Sequence, residues 1–219
     1  MNRTIDPQIG SIMTIEQLYR ECPPLLHVES KICHRIDQRS FISAYIPSNS
    51  VGAEVGVFTG LFSQRLLELT NPRVLFLVDP WWLKHGKMYP DWGRYTDHGR
   101  LPTEVAYRAA AIRTHTEKSE SPALLDVSHS CDWLQRLPDN HLDWVYLDSS
   151  HEYADTVSEL NLISKKLRPG GILLGDDWEI QPGSTGCGVF RAVSESVANR
   201  SFDLLFAGRE LQWGLKCRH

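Results

Sequence analysis

The chain has no apolar run near the roughly 20 residues that a membrane span requires. Its first ten residues, Met1 to Gly10, carry no apolar core of a secretory signal. Cysteine is sparse and shows no pairing pattern: Cys22, Cys33, Cys131, Cys187 and Cys217 are an odd, scattered set without a Cys-x-x-Cys. That argues against a disulfide framework and a structural zinc site, and a reduced, cytoplasmic protein is expected. Positive charge is not in excess either. Lys and Arg number 23 against 27 Asp and Glu, for a formal net charge of -4 and a pI near 6.1. A general nucleic-acid or membrane-surface binder calls for the opposite balance, so neither partner is expected. Internal repeats and low-complexity tracts are also missing. What remains is 219 residues, enough for one domain with a good core and too few for two large ones.

Within that length, residues 1–50 read as an N-terminal extension of short helices ahead of a main domain at 51–219. Thr14 and Gln17 have capping-box spacing, Pro23-Pro24 is read as a break, and a helix is expected near Glu29 to Ile46. From Val51 onward strand and helix patterns alternate, which predicts a parallel sheet covered on both faces. The expected strands are Gly52 to Val57, Val74 to Val78, Ala123 to Val127, Trp144 to Leu147 and Ile172 to Gly175, with a hairpin from Phe202 to Phe206 and Leu211 to Lys216. Thr59, Thr103 and Ser130 are placed at helix starts as caps. Arg168-Pro169-Gly170-Gly171 stops the helix near Ala154 to Leu167.

Two runs carry the chemistry. Ala53-Glu54-Val55-Gly56-Val57-Phe58-Thr59-Gly60 sets an acid and two glycines where a strand turns into a helix, and Leu75-Phe76-Leu77-Val78-Asp79-Pro80-Trp81 ends a buried strand in a carboxylate nineteen residues past Gly60. This is a nucleotide site at the tips of a parallel sheet. The dinucleotide fingerprint needs a glycine where Glu54 stands, so that a pyrophosphate can approach. A carboxylate there repels phosphate and suits a ligand with an ammonium and no phosphate, such as S-adenosylmethionine. Gly56 and Gly60 let backbone approach such a ligand closely. Asp79, with two acceptor oxygens, can take both ribose hydroxyls.

At this point the chain resembles the class I S-adenosylmethionine-dependent methyltransferases, from about Val51 to the C-terminus. Glu54-x-Gly56-x-x-x-Gly60 followed by Asp79 looks like their motifs I and II. Val78-Asp79-Pro80-Trp81, Leu147-Asp148-Ser149-Ser150-His151-Glu152-Tyr153 and Arg168-Pro169-Gly170-Gly171 resemble the small-molecule O-methyltransferase subgroup. The resemblance implies a Rossmann-like α/β fold, a seven-stranded, mostly parallel sheet with an antiparallel edge and helices on both faces. It implies that Glu54 lies near the amino-acid part of the cofactor, that Pro80 and Trp81 flank adenine, and that the turn Ser128-His129-Ser130-Cys131 supplies its polar edge. Thr59 and Asp148 complete the expected cofactor set.

A second constellation is Asp148 with Asp176 and Asp177. The last two strand tips named lie about 4.8 Å apart if they are sheet neighbours, and three clustered carboxylates repel unless a cation or protons intervene. Oxygen-only ligation suits Mg²⁺, Mn²⁺ or Ca²⁺, and the triad resembles the ligands of metal-dependent O-methyltransferases. His151 titrates in the range useful to a base and is the candidate that would take the acceptor's proton. The aromatic stretch Trp81 to Pro102, too long for a plain connection, suits a planar or sugar-like acceptor or a second subunit of a homodimer. The expected activity is methyl transfer to a hydroxyl of a small molecule, a sugar or natural product, with divalent-metal assistance. The alternatives are metal-free methylation of nitrogen or carbon, a nicotinamide-dependent oxidoreductase, and a non-catalytic cofactor-binding regulator.

Overall fold

The computed structural model describes residues 13–115 and 123–218; the signal-peptide reading at Met1 to Gly10 falls outside them. Helices α1 (Ile15–Glu21) and α2 (Pro23–Arg39) come first. The capping box at α1 is present in both directions, with Thr14 Oγ1 accepting from the Gln17 amide and Gln17 Oε1 accepting from the Thr14 amide. The break expected at Pro23-Pro24 falls at Cys22, where α1 ends, and Pro23 starts α2, because a proline in the first turn gives up an amide that would have no partner there anyway. A 3-10 turn, Ser40–Tyr45, leads into the sheet.

The main domain runs β1 (Val51–Val55), α3 (Leu61–Thr70), β2 (Val74–Asp79), α4 (Trp82–His85), α5 (Thr103–Thr114), β3 (Ala123–Val127), α6 (Ser130–Arg136), β4 (Leu142–Leu147), α7 (Tyr153–Lys166), β5 (Leu167–Gly175), α8 (Cys187–Ala198), β6 (Phe202–Ala207) and β7 (Trp213–Cys217). The strands form one seven-stranded sheet in the order β3-β2-β1-β4-β5-β7-β6. Pairings from β3 to β5 are parallel and those of β7 with β5 and β6 are antiparallel. The strand order reverses between β1 and β4, the place where ligands enter open α/β sheets at the carboxyl ends of the strands.

Alternation along the strands divides the core into two layers. Val51, Ala53 and Val55 of β1, with Val145, Leu147 and Leu173, pack against Leu134, Leu160, Ile163 and Val193 on one face. Trp144, Tyr146, Leu75 and Leu77 pack on the other against Phe62, Leu66, Ala106 and Ala110, and there Leu18, Leu25 and Val28 bring α1 and α2 into the same cluster.

Three expected caps are displaced. The cap of α3 is Gly60 in the left-handed region, φ 75°, and not Thr59. Thr103 and Ser130 are each the first residue of their helix and make no capping bond; the Thr103 hydroxyl instead donates to the Gly86 carbonyl at 2.7 Å. A hydroxyl one position inside the helix has moved past the free amides it would cap.

Candidate functional site: the carboxyl ends of the strands

β1 stops at Val55, two residues sooner than the sequence pattern suggests, so Gly56 to Gly60 is a free-standing turn over the strand ends. The Gly56 amide donates to the Val78 carbonyl at 2.8 Å, and φ is 95°. A Cβ on Gly56 would stand 1.8 Å from the Asp148 carbonyl oxygen, and one on Gly60 would stand 2.6 Å from Ala110 Cα. Both glycines are therefore demanded by the chain's own backbone, whatever ligand they admit.

Asp79 ends β2 directly under this turn. One carboxylate oxygen accepts from the Val57 and Phe58 amides, both at 3.0 Å, and the other from the Trp81 amide at 2.8 Å. Burial pushes this carboxyl up, while those three amides pull it back. A carboxylate has about four lone-pair sites, so three bonds leave room for one ligand hydroxyl where the sequence reading had two. Phe58 holds a left-handed φ of 56° without being glycine, and the buried Trp81 indole donates to its carbonyl at 2.9 Å. Trp81 thus braces the turn from below. Pro80 is half-buried beside it. The Thr59 hydroxyl is buried with no partner among the described residues.

Glu54 is buried one strand position before the turn and accepts a short hydrogen bond from Ser63 of α3. Burial, against the pull of the Ser63 hydroxyl, raises its carboxyl to about 8, with Asp148 adding to the rise. The raised group holds a proton in the folded chain that the unfolded chain has already lost, so stability falls as pH rises from the ordinary glutamate range toward 8. Glu54→Gln removes that dependence and keeps a partner for Ser63. The thermal midpoint of the variant minus that of wild type is expected to be clearly larger at pH 8.5 than at pH 5. A difference that does not change with pH would show Glu54 ionised throughout.

At the tips of β4 and β5 the structure answers the repulsion among Asp148, Asp176 and Asp177 in an unforeseen way. Arg39, at the end of α2, lies buried between them: Nη1 donates to Asp148 at 2.9 Å and to the Tyr146 hydroxyl at 3.1 Å, and Nη2 donates to Asp176 at 2.6 Å. Arg35, one helical turn earlier, reaches both Asp176 oxygens at 2.9 and 3.2 Å. Gln212 and the Asp177 amide also donate to Asp176, at 2.5 and 2.9 Å. The compensating cations are two guanidiniums from one N-terminal helix, α2. Burial, then Asp148, still pushes the Asp176 carboxyl up against the pull of Arg39.

Among the described residues, the side chains placed so that they could hold a cation together are Asp148, His151 and Asp177, whose ligand atoms all lie within 4.8 Å of one another. Asp176 is turned away toward the arginines. His151 Nε2 stands 2.8 Å from Asp177 Oδ2, and that hydrogen bond raises the imidazole to about 9. His151 is thereby held against Asp177 at the strand ends, beside the tip of β4 where the candidate base is expected.

The turn expected to line adenine is already engaged. Ser128 donates to Asp126 and accepts from Arg136 at 2.8 Å, while Ser130 and Cys131 are half-buried in the first turn of α6. Beneath them Glu159 of α7 is buried, takes the Ser149 hydroxyl at 2.7 Å and has its second oxygen unpartnered among the described residues. Sequence reasoning passed over Glu159, Arg35 and Arg39. The only signal for the arginines was their four-residue spacing, which puts both on one face of a helix.

The mostly parallel seven-stranded sheet, with a glycine turn after its first strand and acids at the ends of its second, fourth and fifth, has the architecture of the class I S-adenosylmethionine-dependent methyltransferases. Comparison agrees: the profile of the methyltransferase domain family matches residues 53–178, and the chain belongs to that family. No curated protein matches the sequence. Among solved structures it is similar to a protein of Corynebacterium glutamicum at 12% identity and TM-score 0.56, with 90% of each chain covered. It is similar to one of Klebsiella pneumoniae whose name assigns it provisionally to the O-methyltransferases, at 13% identity and TM-score 0.57, covering 93% of this chain and 96% of that one. A third, from Clostridium thermocellum and assigned provisionally as an rRNA methylase, matches at 13% identity and TM-score 0.51, covering 84% and 97%. Likeness at this level shows the shared fold.

Proposed function

We propose that the protein transfers a methyl group from S-adenosylmethionine to a hydroxyl of a small polar molecule, a sugar or natural product, assisted by a divalent cation. The observation that carries the reading is the Gly56–Gly60 turn, set between Asp79 of β2 and Asp148 at the tip of β4 with Glu54 behind it. The carboxylates of Asp79 and Asp148 on either side of the turn suit a ligand that is cationic and carries no phosphate, and the proton-bearing Glu54 behind it adds a polar contact. When bound, the cofactor supplies an electrophilic methyl on its sulfonium. The chain's task is alignment and proton removal.

Beside these tips an open cavity of about 440 Å³ lies between α2 and the turn before β7, lined by His34, Arg35, Gln38, Gly208, Glu210 and Leu211. Arg35 links its wall to Asp176, which supports placing the acceptor there. Its mixed polar lining suits a small hydroxylated molecule, and the acidic chain supports no nucleic-acid or membrane partner. A divalent cation would be held by Asp148, Asp177 and His151, and would lower the pKa of an acceptor hydroxyl. With a nitrogen in the set, Mn²⁺ or Fe²⁺ fits better than Mg²⁺. The exposed Trp82, Leu83, Met88 and Trp92 support a homodimer.

Calorimetric titration with S-adenosylhomocysteine, with NAD⁺ as control, tests the cofactor, and Mn²⁺ titration tests the cation. The homocysteine ligand is expected to bind and NAD⁺ not to. A Mn²⁺ heat is expected in wild type and not in Asp177→Asn. Well-folded protein that ignores S-adenosylhomocysteine refutes the cofactor, and equal Mn²⁺ heats refute the ligand set.

A further inference from the structure

The aromatic stretch after Trp81 is folded back on itself: Met88 bridges Pro102, and the Tyr89 amide donates to the Leu101 carbonyl at 3.2 Å. Tyr89 is the aromatic side chain of this segment that the fold buries. Its ring meets Phe58 edge-on at 5.2 Å between centroids, with His85 at 5.2 Å and Trp92 at 5.5 Å around it. The residue is 4% exposed, yet its hydroxyl has no hydrogen-bond partner among the described residues. Burial and, after it, the Asp79 charge push the phenol up, and Phe58, on which the Tyr89 ring packs, donates its amide to Asp79.

A phenylalanine would fill the same apolar space. The extra oxygen is desolvated and unpaired, which disfavours the protein as it stands, and a group in that state calls for a partner that arrives with a ligand. We infer that Tyr89 is a further cofactor-binding residue, whose hydroxyl donates to a ribose hydroxyl of the bound nucleoside while that hydroxyl donates to the remaining lone pair of Asp79. A hydroxyl has one proton to give and two lone pairs to receive, so one ribose oxygen satisfies both residues. Phe58 lies between them, its amide on Asp79 and its ring on Tyr89. The same contact draws the aromatic segment over the nucleoside. The inference rests on the S-adenosylmethionine reading above.

The test is Tyr89→Phe, titrated with S-adenosylhomocysteine and with its 2′-deoxy and 3′-deoxy analogues, alongside thermal unfolding without ligand. The variant is expected to bind S-adenosylhomocysteine about five- to tenfold more weakly. Against the analogue lacking the hydroxyl in question, variant and wild type should bind alike. Without ligand the variant should unfold at the same temperature as wild type or higher, since it loses an unpaired oxygen. Wild type binding S-adenosylhomocysteine no more tightly than the variant overturns the role of Tyr89 and leaves the cofactor reading standing. A loss that persists on both analogues, or a clearly less stable ligand-free variant, overturns it too. Failure of wild type to bind S-adenosylhomocysteine removes the cofactor reading and this inference with it.

Discussion

Arg39→Met is expected to lower stability by about 3–5 kcal/mol, the usual cost of removing one partner from a buried ion pair. In a chain of this length that is a fall in thermal midpoint of roughly 6–20 °C. The guanidinium is the nearest cation to both Asp148 and Asp176, and burial of the arginine, opposed by the carboxylates and Tyr146, leaves its pKa raised, so it never discharges. Removing it strands two carboxylates, and Arg35 reaches only Asp176. The cost is therefore a desolvation penalty and not the worth of a contact. That makes a sharper expectation: Arg39→Met combined with Asp176→Asn should be destabilised by less than the sum of the two single changes, because each relieves part of the charge the other leaves exposed. Additive effects would mean that the acids are discharged without Arg39. Thermal unfolding of the four proteins decides it. A second readout is divalent-cation affinity, which should rise in Arg39→Met as Asp148 loses its competing donor.

This arrangement also shows where sequence reasoning stops. The strands were legible because Val51 to Val55, Val74 to Asp79 and Leu142 to Leu147 are short apolar runs closed by glycine or acid, and such runs mean buried parallel strands whatever the rest of the chain does. The meeting of Asp148 with Asp176 and Asp177 followed from adjacency of β4 and β5, which the pairing Leu147↔Gly175 bears out. What neutralises the acids was not legible. Arg35 and Arg39 lie 141 and 137 residues away from Asp176 in sequence, and their docking depends on how α2 packs on α3 and α5 through Leu25 and Val28. No local pattern encodes that crossing. The caps failed for a smaller reason. Thr59, Thr103 and Ser130 are each within one or two residues of a helix start, which is the precision that hydroxyl signals carry.

Asp79→Ala is expected to cost S-adenosylhomocysteine affinity at least about 100-fold, the largest effect anticipated on binding. Two losses combine. The carboxylate holds the Val57, Phe58 and Trp81 amides, and hydrogen bonds to a charged group are worth about 1.5–3 kcal/mol each; without them the turn that must receive the ligand is no longer preorganised. The lone pair facing the nucleoside goes as well. Asn in place of Asp is no remedy, because its amide nitrogen would confront either the Val57 and Phe58 donors or the Trp81 donor. Affinity alone cannot separate the loosened turn from the lost ribose contact, but selectivity can. Wild type should prefer S-adenosylhomocysteine over its 2′,3′-dideoxy analogue, and in Asp79→Ala that preference should shrink toward one. If the preference survives while affinity falls, Asp79 acts through the turn alone. The hydroxyls would then be read elsewhere on the strand ends.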